Sequence, residues 1–224
     1  FINKKIKILD VACGTGVFWK QNAKKMENID YELTMTDFAN SMLEKSKNNL
    51  EGTDIKANYE LAEIEKLEKY KSEFDIVLCH NAVYHAEDKN LGLENLKKCL
   101  NNNRDSFVGL TTNSEKHMLN VYEIGRKLDR NFPTDRIIDN WTEEVADKML
   151  PSHFEYEKII EEEKLKVTDL DILMNYVASG VEPRNIVLKD SFYEEYRAIA
   201  KEEIDKFGYF QIIKRSPLYI CKNR

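Results

Sequence analysis

Ile6-Lys7-Ile8-Leu9-Asp10-Val11-Ala12-Cys13-Gly14-Thr15-Gly16 decides the fold. Its first six residues read as a short buried strand, and Gly14 and Gly16 break it at once. Asp10 to Gly16 therefore stands where a strand gives way to a helix. The chain must turn sharply there and let a ligand approach its main chain, and residues without large side chains permit both. In an open α/β sheet, ligands bind beyond the carboxyl ends of the strands, at the point where the topology switches. Asp37 closes the next strand, about 20 residues after the glycines, which suits a carboxylate accepting from the two ribose hydroxyls of an adenosine. A dinucleotide fingerprint would read G-x-G-x-x-G, because a pyrophosphate must rest on the helix N-terminus. The order here is D-x-A-x-G-x-G. An acid at the strand tip repels pyrophosphate and suits an ammonium group.

Outward from this loop, strands and helices alternate. A second strand is expected around Tyr31 to Met35, stopping at Thr36-Asp37, and Leu43 and Leu50 lie one heptad apart on the helix after it. A third, weaker strand falls within Asn58 to Ala62. Phe74-Asp75-Ile76-Val77-Leu78-Cys79 is nearly continuous in apolar residues, as a strand covered on both faces should be. Leu93, Leu96 and Leu100 mark a helix, and Phe107 to Leu110 a fifth strand. This rhythm predicts parallel crossover units and an α/β, doubly wound, mostly parallel sheet. After about Asn113 helices dominate, with breaks at Phe132-Pro133 and Pro151. A strand over Phe154 to Ile160, a helix set by Phe192, Tyr196 and Ile199, and a last strand at Leu218-Tyr219-Ile220-Cys221 bring the sheet to seven strands. The expected organisation is a single domain: a cofactor-binding core over residues 1–113, then a substrate-facing helical insertion and closing strands over residues 114–224.

Four segments resemble the class I S-adenosylmethionine-dependent methyltransferases. Ile8 to Gly16 resembles that family's first motif, with Ala12 where Gly is commoner. Thr36-Asp37-Phe38-Ala39-Asn40-Ser41-Met42-Leu43 resembles the acidic motif of the second strand. Phe74 through His85 resembles the fourth-strand motif, and Glu63-Ile64-Glu65-Lys66-Leu67 resembles the acid-x-x-x-Leu segment beside the adenine. Thr111 to Met118 and the closing Leu218 to Lys222 look like a bacterial small-molecule branch of the superfamily. The resemblance implies a Rossmann-like methyltransferase fold and S-adenosylmethionine as cofactor, leaving S-adenosylhomocysteine as product. It implies that Asp10 holds the methionine ammonium through water, while Ala12, Gly14 and Gly16 let the loop pass under the cofactor. Asp37 would bind the ribose, and Phe38 would lie against one face of the adenine. Glu63 and the main chain of Ile64 would read the adenine edge, and Cys79 and His80 would sit near the sulfonium.

Methyl transfer is an in-line displacement at an activated carbon, so alignment and exclusion of water matter most. A general base is needed only for a protonated acceptor, and His80 and His85 are the candidates. Each could equally be a capping or packing residue, and Tyr84 a wall of the pocket. His117 either faces the acceptor or is a solvated helix residue. Asp37 could also serve as a helix N-cap, a compatible role. Trp19 and Trp141 suit core or lid packing, and Glu161-Glu162-Glu163 a solvated face.

The 224 residues carry a net charge of −6, with Lys and Arg spread among Asp and Glu. Without a basic stripe, and with His80-Asn81-Ala82-Val83 where base-methylating enzymes carry a motif like Asn-Pro-Pro-Tyr, a small-molecule acceptor is favoured over nucleic acid or protein. A non-catalytic cofactor-binding module is the alternative from another class. The four cysteines form no C-x-x-C pair, which argues against zinc, any other metal centre, or a disulfide framework, and for a reducing cytoplasm. No apolar run approaches the roughly 20 residues that span a bilayer. The chain starts at Phe1 without an initiator Met, and a preceding segment is expected.

Overall fold

The computed structural model describes residues 5–133, 140–181 and 184–223. Seven strands, β1 (Ile6–Val11), β2 (Tyr31–Asp37), β3 (Ala57–Leu61), β4 (Ile76–His80), β5 (Phe107–Thr111), β6 (Glu155–Val167) and β7 (Phe210–Lys222), form one sheet in the order β3-β2-β1-β4-β5-β7-β6. The first five pair in parallel, and Leu218–Cys221 of β7 pairs antiparallel with Val108–Thr111 of β5. This is the doubly wound, mostly parallel α/β sheet that the strand–helix alternation predicts. The chain moves from β3 across β2 and β1 to β4, so the order switches between β1 and β4. That switch sets the carboxyl ends of β1, β2 and β4 side by side.

The helices are α1 (Val17–Met26), α2 (Asn40–Leu50), α3 (Lys89–Cys99), α4 (Leu119–Leu128), α5 (Glu143–His153), α6 (Leu170–Ser179) and α7 (Phe192–Phe207). Two compact units arise from them: Phe1–Thr112 with Val145–Ile159 and Leu218–Arg224, and Asn113–Glu144 with Ile160–Pro217. In the first, Ile8, Leu33 and Met35 of the sheet pack with Trp19 of α1 and Leu50 of α2. Asp75, fully buried, anchors the start of β4: one carboxylate oxygen accepts from the Lys7 main-chain N–H and the other from Asn101 Nδ2. In the second unit, Val121, Phe132, Leu173, Val177, Phe192 and Tyr196 form an apolar cluster. Tyr196 Oη donates to the Val121 carbonyl at 3.2 Å within it.

Several elements differ from the sequence expectation. The buried face of α7 runs Phe192, Tyr196, Ala200, while Ile199 is 39% exposed. Pro151 does not end α5, which continues to His153. It stands inside the last turn, where it removes one main-chain donor yet leaves the helix running two residues further. β6 extends seven residues past Ile160, because Glu161-Glu162-Glu163 continue the strand instead of leaving it. Those three side chains are solvated. β7 begins at Phe210, well before Leu218, with Ser216-Pro217 inside it. His117 is 8% exposed rather than solvated, and its Nδ1 accepts from the Arg215 main-chain N–H at 3.2 Å.

Candidate active site at the carboxyl ends of β1, β2 and β4

Ala12, Gly14 and Gly16 all adopt left-handed backbone, with φ of 57°, 56° and 70°. Gly is at ease there and Ala is not. The alternation throws the loop over the end of β1 and into α1. The Gly16 N–H closes a turn on the Cys13 carbonyl, and Cys13 N–H reaches across to the Thr36 carbonyl of β2. A Cβ on Gly16 would collide with Ser46 Oγ of α2, whereas a Cβ on Gly14 would meet nothing within 4 Å. Gly16 is thus a packing glycine, and Gly14 lies beside open space.

Asp37, 4% exposed, binds the loop to β2. Its Oδ2 accepts the Gly14 N–H at 3.0 Å and its Oδ1 the Ala39 N–H at 2.9 Å. The second bond ties down the main chain just ahead of α2, but the N-cap of that helix is Ala39 and no side chain caps it, so Asp37 is not the N-cap expected from the sequence. A carboxylate offers about four lone-pair sites, so both oxygens retain capacity for further donors.

Asp10, 2% exposed, accepts the Trp19 Nε1–H at 2.7 Å. Burial, and with it the nearby charge of Asp37, push its carboxyl up to about 7 against the opposing effect of the indole bond. Thr36 Oγ1 donates to the Asp10 carbonyl, fixing the strand tip. The sequence offers no cue to the Trp19 bond beyond position: Trp19 lies in the first turn of α1, one turn from the loop.

At the end of β4 the alternation of the strand buries Cys79 completely and leaves His80 half-buried. The Cys79 thiol is therefore enclosed, and burial with the charge of Asp10 raises its pKa. His80 Nδ1 lies 3.4 Å from Thr111 Oγ1, and its ring is 4.6 Å from that of Phe18. Nε2 is buried with no hydrogen-bond partner among the described residues, and desolvation lowers the imidazole pKa. Asn81 follows in left-handed backbone, its N–H donating to Thr111 Oγ1 at 3.1 Å. Phe18 and Thr111 escape a sequence-based reading of this site, since no motif assigns either of them a role there.

His85 is exposed in the short turn Val83–His85, its ring 4.3 Å from Tyr84 and 6.0 Å from Phe38. Phe38 is 58% exposed. Glu63 is exposed and paired with Lys66 at 2.8 Å, and the Ile64 carbonyl accepts from Asn95 Nδ2 at 3.3 Å. The loop, Asp10 and Asp37 are thus tied together by hydrogen bonds. His80 joins Phe18, His85 joins Phe38, and Glu63 and Ile64 bond to neither group. Among the described residues, no group of three or more His, Cys, Asp or Glu could hold a metal ion, and no helix is long and apolar enough to cross a membrane.

Residues 8–103 match the family model described as a methyltransferase domain. The ubiquinone biosynthesis O-methyltransferase of Coxiella burnetii is 31% identical over 88 residues, which is 39% of this chain and only 36% of that protein. The chain therefore spans about a third of that relative's length. Among solved structures, a candidate methyltransferase from Bacillus halodurans C-125 superposes with a TM-score of 0.63 at 16% identity, over 97% of this chain and 92% of its own. YcgJ from Bacillus subtilis gives 0.63 at 14% identity over 98% and 92%. The phosphoethanolamine N-methyltransferase 2 of Haemonchus contortus, solved with phosphomonomethylethanolamine and S-adenosylhomocysteine, gives 0.54 at 13% identity, over 100% of this chain and 50% of its own. At these identities the structural likeness establishes the fold.

Proposed function

We propose, from the match of residues 8–103 to a methyltransferase-domain model, that the protein is a class I methyltransferase and transfers a methyl group from S-adenosylmethionine to an oxygen, nitrogen or carbon of a small molecule. The observation that carries this is the bond from the Gly14 N–H to Asp37 Oδ2, which joins a main-chain cradle to a ribose-binding acid. The space beside Gly14 that a Cβ would enter fits a cofactor passing close to the backbone. S-adenosylmethionine supplies the electrophilic methyl group when bound.

The chain's own residues align and shield. Asp37 would take the ribose hydroxyls on its remaining lone pairs, Phe38 would cover the adenine, and Glu63 with the Ile64 N–H would face the adenine edge. Asp10 would face the ammonium. Cys79, being enclosed, would contribute only its main chain. Thr111 Oγ1 already accepts the Asn81 N–H, so its own proton is available to His80 Nδ1. The tautomer this assigns carries hydrogen on Nε2, making His80 a donor toward the acceptor. Exposed His85 is then the candidate base for an acceptor that must lose a proton. A small acceptor is supported by the net charge of −6 and by the proline-free Asn81-Ala82-Val83 directly after β4. The described cysteines are all free, which supports a cytoplasmic setting.

Calorimetry with S-adenosylmethionine and S-adenosylhomocysteine, followed by a methyl-transfer assay across phenols, amines and carbon acids, tests the proposal. Wild type should bind both, and Asp37→Ala should bind about 1–3 kcal/mol more weakly, the cost of unpaired groups in a closed site. No binding by wild type would sink the proposal. Binding without turnover on any acceptor would favour a sensing module.

A further inference from the structure

Asp10 is an isolated carboxylate in an enclosed place. From the loop after its own strand it faces Cys13, from β2 Asp37, from β4 Cys79, and from α1 Trp19. Both thiols are raised by burial and stay neutral, and Asp37 is another acid, so none of these neighbours compensates the charge of Asp10. Among the described residues, its side chain accepts one hydrogen bond, from the Trp19 indole N–H to Oδ2 at 2.7 Å, between two side chains each 2% exposed. The other oxygen, Oδ1, accepts nothing from the described residues. Trp19 is itself immobilised, stacked at 6.5 Å on Tyr31 and edge-on to Phe18 at 5.3 Å.

We propose that Trp19 is a positioning residue: its indole N–H anchors one oxygen of Asp10 so that the other is presented to the ammonium group of the cofactor's amino acid moiety. This rests on the cofactor assignment above and deepens it. A neutral donor suits the task because it orients the carboxylate without neutralising it, leaving the charge for the ligand. An Arg or Lys in its place would satisfy Asp10 within the protein and compete with the incoming cation. Phe could fill the same volume but could not donate.

The proposal makes the carboxylate's titration and the ligand's affinity one event. Burial favours the protonated form of Asp10, the indole bond and an incoming ammonium favour the ionised form, and binding near neutrality releases a proton. Affinity of wild type for S-adenosylhomocysteine, measured by calorimetry, should therefore strengthen as pH rises from 6 to 8. Trp19→Phe should bind about tenfold more weakly at pH 7, the worth of one buried bond to a charged group. Its affinity profile should shift about one unit to higher pH, so that the gap narrows by pH 8.5. Asp10→Asn should bind weakly with no such pH dependence. A Trp19→Phe protein weakened by one constant factor at every pH has lost packing alone, and that result, or unchanged binding, overturns the proposal.

Should Trp19→Phe fail to fold, wild type labelled with nitrogen-15 at tryptophan supplies an independent readout. The Trp19 indole N–H resonance should titrate with Asp10 and move when S-adenosylhomocysteine is added. An indole resonance flat across pH 5 to 9 overturns the proposal. If S-adenosylhomocysteine does not bind wild type at any pH while the indole still titrates, the cofactor assignment has failed and the Trp19–Asp10 couple stands.

Discussion

Ala12 is held at a φ of 57°, in a region that costs an L-residue with a Cβ roughly 1–2 kcal/mol. Gly carries no such cost but loses more chain entropy on folding, about 0.5–1 kcal/mol. Ala12→Gly should therefore stabilise the protein slightly, by up to about 1 kcal/mol, raising Tm by about 2–4 °C. A calorimetric melt reads this, and an unchanged or lower Tm would show that the loop carries no strain at Ala12. Asp10 gives a prediction of opposite sign with pH. Its carboxyl lies at about 7 in the fold against an ordinary 3.8, so the native state binds the extra proton between those values. Unfolding then becomes easier as pH rises through that window, by an amount on the order of a few kcal/mol, and the contribution levels off above pH 7. A ligand ammonium would offset it, so the thermal shift given by S-adenosylhomocysteine should be larger at pH 8 than at pH 6. A shift equal at both would separate Asp10 from the ligand. The place of Asp37 was legible from the sequence because the acid follows on the apolar alternation of β2, which it ends. Trp19 was not, since an aromatic in a helix's first turn reads as packing, and only the fold turns its N–H toward Asp10.

At the scale of elements, the parallel core was legible because strands buried on both faces announce themselves as apolar runs, as Ile76 to Cys79 does. β6 and β7 were under-read for the complementary reason. Past Ile160, β6 runs Glu161-Glu162-Glu163-Lys164 with every side chain solvated, and in β7 Ser216-Pro217 interrupts the apolar pattern, so neither stretch carries the apolar run that marks a strand. The junction of α1 and α2 depends on a single missing side chain. Gly16→Ala would set a methyl group against Ser46 Oγ and also impose the left-handed penalty. We expect a loss of about 2 kcal/mol or more in urea unfolding, of which Ser46→Ala recovers only the steric part. A Gly16→Ala protein as stable as wild type would show that α2 can give way. Gly125 of α4 makes a similar case in the second unit, where a Cβ would run into the Phe132 ring.

For the whole molecule, 34 basic against 40 acidic side chains give a net charge of −6 and no collective attraction for phosphate backbones. Fluorescence anisotropy with duplex DNA or RNA at about 50 mM salt should show no binding. Binding that weakens steeply with added salt would redirect the search to nucleic-acid acceptors. The path of the chain carries another consequence. It passes from one compact unit to the other after Thr112, Glu144, Ile159 and Pro217, and its last stretch returns to flank β5. A fragment ending near residue 113 would leave β5 as a bare edge open to pairing with another copy. Recombination between related genes therefore could not exchange the second unit at one crossover. Two separate stretches of reading frame would have to move together, while the tail that follows them stayed with its host.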